Sequence, residues 1–84
     1  MSSPTEPVTL SASQIEELNR QLSTMRHDIN NHLSLIVAAV ELIRHKPQMT
    51  ERMMITLSEQ PTRITEAIRK FSHEFEKSLN ITRP

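Results

Sequence analysis

The chain contains no glycine, no cysteine, no tryptophan and no tyrosine. Each absence removes a class of chemistry. Loops that cradle phosphates need glycine so that backbone N–H groups can approach the phosphate oxygens. A Gly-rich nucleotide site is therefore excluded, and any ATP used with this protein has to be bound elsewhere. Without glycine, most tight-turn chemistry is also lost, which suits a fold with one main connection. The lack of cysteine rules out a disulfide framework and thiolate metal sites. Long apolar runs are missing too. The longest, Leu35 to Val40, is far too short to span a bilayer. The N-terminus has no charged segment leading into an apolar stretch, so no signal peptide is visible and a cytoplasmic address is expected. Charge of one sign is not in excess: ten basic and ten acidic residues leave the formal charge at zero. That balance argues against nucleic acid as a partner and against a polybasic membrane anchor.

What remains is a helical pattern. At 84 residues the chain is one small domain, short for a self-sufficient core. Pro4, Pro7 and several Ser/Thr mark residues 1–10 as a flexible N-terminal arm. Ser11 followed by Gln14 forms a capping box, and Leu10 with Ile15 occupies the two positions of a hydrophobic staple. From there the apolar positions alternate three and four apart: Ile15, Leu18, Leu22, Met25, Ile29, His32, Ile36, Ala39, Ile43. Only His32 interrupts this heptad seam. Arg44, His45 and Lys46 supply the positive charge favoured at a helix C-terminus, and Pro47 stops the helix. A first helix is expected over about 11–45.

A second helix is expected over about 50–79, with the seam Met54, Leu57, Pro61, Ile64, Ile68, Phe71, Phe75. Pro61 cannot donate to the carbonyl of Leu57, but the seam keeps its phase across it, which predicts a kink and not a break. Residues 80–84 are expected to fray. The fold class is thus all-α: an antiparallel two-helix hairpin at 11–79. Such a hairpin leaves each seam half uncovered, so a homodimer forming a four-helix bundle is expected. The widening of the apolar stripe at Leu33, Leu35, Val37, Val40 and Leu42 supports this.

With the seam at heptad positions a and d, the outermost f position of the first helix carries Arg20, His27, Ser34 and Glu41. His27 therefore points into solvent from a rigid helix, next to Asp28 and one turn from Asn31. A lone histidine at such a position reads as a merely solvated residue. A histidine open to another protein and beside a carboxylate is also set up as a nucleophile. The octet around it, Arg26-His27-Asp28-Ile29-Asn30-Asn31-His32-Leu33, resembles the H-box of two-component histidine kinases in its His-Asp-x-Asn-Asn-x-Leu variant. The layout resembles their dimerisation and histidine-phosphotransfer domain, which carries the H-box on the first helix of a hairpin.

The resemblance implies that His27 is the phospho-accepting histidine. It gives Asp28 the acidic position that assists proton transfer, and Asn31 the position that orients water when a partner's aspartyl phosphate is hydrolysed. It further implies a response-regulator receiver domain as partner and an ATP-binding kinase domain that is separate or missing from this sequence. Whether the chain is a relay module or a segment of a longer kinase is left open, and so is its standing as an enzyme. His32 replaces a proline common in the family. Being on the seam, it reads as a hydrogen-bonded core residue. Ser72-His73-Glu74-Phe75 looks like the commoner form of the H-box, but Lys77 occupies the place of the Thr or Asn, and His73 reads as surface. No cofactor and no metal site is expected: His27 and His32 lie on different faces, and nothing matches His-Glu-x-x-His. The five methionines read as core and loop packing. The alternative from a different class is a non-catalytic homodimerisation adaptor with a degenerate H-box.

One prediction follows from the missing glycine. Calorimetric titration of the chain with magnesium-ATP should give no saturable binding, and a saturable heat would contradict this reading.

Overall fold

The computed structural model describes residues 6–79. Helix α1 spans Ala12–His45 and helix α2 spans Thr50–Leu79, joined by the single 3₁₀ turn Pro47–Met49. The two lie antiparallel in a slab with extents of 58 × 28 × 12 Å. Of the arm, residues 6–10 are not helical. Residues 1–5 and the expected fraying tail, 80–84, fall outside the described residues.

The N-terminus of α1 is held by its capping box. The Gln14 N–H donates to Ser11 Oγ at 3.1 Å, and the Ser11 N–H donates to Gln14 Oε1 at 2.8 Å. Two of the otherwise orphaned N–H groups are thereby satisfied. At the other end Lys46 leaves the helix at φ −138°, ψ 78°. The residue before a proline is pushed out of the helical region by the proline ring, so Pro47 provides the stop that glycine provides in other chains. The turn is closed by Met49 N–H to Lys46 O at 2.8 Å and by Thr50 Oγ1 to Pro47 O at 2.6 Å. It also satisfies a late carbonyl of α1, through Lys46 N–H to Leu42 O at 2.7 Å.

The first seam meets α2 along most of its length. Leu18, Leu22, Met25, Ile29, His32, Ile36, Ala39 and Ile43 are all partly or fully buried, while Ile15 stays exposed. The second seam differs from the sequence expectation. Met54, Pro61, Ile68 and Phe75 are exposed, and Met53, Leu57, Gln60, Ile64, Ala67, Phe71 and Glu74 turn inward. The physical reason is that α2 carries two adjacent apolar columns, 57/64/71 and 54/61/68/75. A single neighbouring helix covers only one line of a helix surface, so the contact settled on the first column together with the small and polar residues beside it.

With Ile29 and Ile36 at position a of α1, and Leu57, Ile64 and Phe71 at position a of α2, the hairpin has two unlike sides. In an antiparallel pair the a and e positions of both helices share one side, and d and g share the other. Only two of the described residues are buried: Ala39, 2% exposed, and Gln60, 4% exposed. Both are d positions. The large apolar residues at a are all left partly open.

Gln60 is the polar pin of the hairpin. Its Oε1 lies 2.8 Å from His32 Nδ1, and its amide nitrogen donates to Thr56 O at 3.1 Å. The acceptor on Gln60 requires the His32 proton to be on Nδ1. The helix α2 runs unbroken through Pro61. Around this residue Thr65 Oγ1 donates to Pro61 O at 2.9 Å, and Ser58 Oγ donates to Ile55 O at 2.8 Å.

Gln60→Ala should destabilise the protein by about 1–3 kcal/mol, since it strands the His32 N–H at the helix contact. Replacing both residues, His32→Leu with Gln60→Leu, should recover most of that loss. Urea unfolding followed by circular dichroism measures both, and a neutral Gln60→Ala would show that the bond does not matter.

Candidate functional site

The mid-region of α1 fixes the direction of each candidate side chain. His27 is at f, opposite the helix contact, with its side chain 75% exposed. The other f residues, Arg20, Ser34 and Glu41, are exposed as well. Asp28 occupies the neighbouring g position and is half-buried. The His27 Nδ1 to Asp28 Oδ1 separation is 4.0 Å, an electrostatic contact beyond hydrogen-bond length. Asn31 is exposed one turn on, at c, the column between f and g. The three residues therefore form one polar patch on α1. With Nδ1 turned toward the carboxylate, Nε2 is the nitrogen left open to an approaching protein.

A groove of about 280 Å³ opens between the helices beside this patch, on the d/g side. Met25 and Phe71 supply its apolar lining, and Arg20, Lys70, Asp28 and Glu74 its charges. Asp28 is common to the groove and to the histidine. On the α1 rim, Arg20 hydrogen-bonds Glu17 and holds its carboxyl below the usual carboxylate range, aided by the Gln21 amide, which donates to Glu17 at 3.0 Å. The Gln21 Oε1 atom is buried without a hydrogen-bond partner.

The other histidines sit in different settings. His32 is engaged with Gln60. His45, in the last turn of α1, lies 3.2 Å from Glu41 Oε2 through its Nε2. His73 is exposed on α2, and Lys77 follows it where the H-box pattern has Thr or Asn. Among the described residues no group of three or more His, Cys, Asp and Glu could hold a metal ion. Nor is any helix there long and apolar enough to cross a membrane.

Sequence reasoning did not single out Gln60 or the groove. Gln60 was detectable in principle, because position 60 continues the spacing from Leu57 to Ile64 as well as Pro61 does. The groove depends on which column of α2 faces α1, and no periodicity in the sequence fixes that choice. In comparisons with protein-family models, curated proteins and solved structures, nothing matches this chain.

His27→Ala should leave helicity unchanged and alter the unfolding free energy by less than about 0.5 kcal/mol, because an exposed f-position side chain makes little packing contact. Chemical denaturation checks this, and a larger loss would mean that His27 has a structural role.

Proposed function

We propose that this protein is a histidine phosphotransfer module of a two-component relay, acting as a homodimeric four-helix bundle in the cytoplasm. The observation that carries the reading is the polar patch on α1, with an open His27 held beside Asp28 and Asn31 on the same face. The H-box likeness of residues 26–33 gives that patch its chemistry.

In the proposed step the His27 Nε2 lone pair attacks phosphorus on an incoming phosphoryl donor. The N–P bond forms as the donor's P–O bond breaks, and the leaving oxygen departs with the bonding electrons. Asp28 stabilises the positive charge that develops on the ring and takes up its Nδ1 proton. The onward step reverses this pattern. A carboxylate oxygen of a receiver-domain aspartate attacks phosphorus, the N–P bond breaks, and the ring recovers its proton. Asn31 is the residue that would orient water during hydrolysis of the receiver's aspartyl phosphate. ATP chemistry belongs to a kinase domain outside this sequence.

His27 is the acceptor in preference to the other three histidines for physical reasons. A phosphoryl group on His32 would bring two negative charges into the helix contact, where nothing offsets them. His45 stands at the negative end of the α1 dipole and against Glu41, both unfavourable to a phosphorylated ring. His73 has no Asn or Thr four residues on.

A second reading, the non-catalytic homodimerisation adaptor, is favoured by a separate observation: among the described residues only Ala39 and Gln60 are buried, so the hairpin carries association surface whatever His27 does. The two readings part on one experiment. Incubation with a cognate kinase or a phosphorylated receiver should give an acid-labile, alkali-stable adduct that His27→Ala abolishes. A dimer that never labels supports the adaptor. Label that survives His27→Ala, or that is lost only with His73→Ala, overturns the site.

A further inference from the structure

We infer that a second copy of this chain packs on the a/e side of the hairpin and leaves the d/g side, with the groove beside Asp28, open. The inference rests on the homodimer reading above and adds which surface is used. Leu33, Val37 and Val40 on α1 and Met54, Ile68 and Phe75 on α2 are all exposed, Val37 by 62% and Met54 by 54%. Heptad geometry places five of them at e, flanking the half-open a residues, with Val37 at the adjoining b position. Pro61, also exposed, continues the same column.

The opposite side is unlike this one. Its g positions are Gln21, Asp28, Leu35 and Leu42 on α1, and Thr56, Arg63, Lys70 and Lys77 on α2. Its interior is closed by the His32–Gln60 bond and by Ala39 toward the turn and opens as the groove beside Asp28 toward the other end. A copy seated there would cover the exposed Leu35 and Leu42 but would have to desolvate three cations and Asp28, whereas one seated on the a/e side, whose e positions carry one cation, Arg26, removes a longer apolar strip from water. Size permits it. The broad face of the slab measures 58 by 28 Å, so covering half of it meets the roughly 800 Å² per partner of a standard interface. A two-fold axis through this side sets the same patch on both copies against itself, as a closed dimer requires. His27 at f stays outside that interface, and so does the groove.

Because the chain has no cysteine, single-cysteine variants report on each side without background. Ile68→Cys and Val40→Cys probe the a/e side, and Lys70→Cys and Arg63→Cys probe the d/g side. Their alkylation by iodoacetamide is followed together with the solution mass from light scattering. The inference predicts twice the chain mass, with the a/e cysteines reacting about tenfold more slowly than the d/g pair. Ile68→Glu should lower the mass to that of one chain, and Lys70→Glu should leave it doubled. Doubled mass with equal reactivity on both sides, or with protection only at positions 63 and 70, overturns the assignment of the face while the homodimer stands. Wild-type protein with the mass of one chain removes the homodimer and this inference together.

Discussion

Two helices touch along a single line, and a single line cannot enclose large side chains. Everything else in this structure depends on that constraint. The contact between α1 and α2 closes fully only where a small or a flat polar residue lets the backbones approach, at Ala39 and Gln60. The isoleucines and leucines at the a positions touch the other helix with one flank and solvent with the other. The His32–Gln60 bond acts within this limit. It gives little hydrophobic stabilisation, but it forms only where the register sets His32 against Gln60, whose amide nitrogen is meanwhile held by Thr56 O within α2. A polar pair in an apolar seam is well suited to that role, because slipping it leaves unpaired groups behind.

The same constraint separates packing from chemistry. On α2 most of the apolar bulk falls in the a and e columns, and on α1 the N-terminal half keeps it on the a/d seam, while His27, Asn31 and Asp28 occupy the f, c and g columns of α1. His27 is thereby mounted in mid-helix, away from both ends of α1, on a surface that association on the a/e side does not touch. Asp28 links the two regions, since it is close to the imidazole and also lines the groove. A protein docking over His27 would meet mixed charge from Arg20, Lys70 and Glu74 around Met25 and Phe71.

Much of this was legible in the sequence, for local reasons. The capping box at Ser11, the stop at Pro47 and the outward setting of His27 follow from neighbours within one or two turns, and the seam of α1 is narrow and unambiguous up to Ile29. The facing column of α2 was not legible. Apolar residues at 54, 61, 68 and 75 satisfy the period as well as the true contact does, whereas Gln60, Ala67 and Glu74 carry no hydrophobic signal. Choosing between the columns requires the position of the other helix. For the same reason the groove beside Asp28, half of it supplied by α2, could not be read from the chain. Dimerisation and phosphotransfer involve a second molecule and rest on proposals argued from the surfaces left open.

The most direct test of the account asks whether His27 is chemically distinguished from the other histidines. Treatment with phosphoramidate, a small donor that phosphorylates imidazole nitrogen without any kinase, exposes His27, His45 and His73 alike to reagent. Site-resolved mass spectrometry then gives the occupancy of each. The account predicts that label accumulates first on His27 and is discharged when a cognate receiver domain is added. Equal labelling of His27, His45 and His73, with none passed to a receiver, would contradict it.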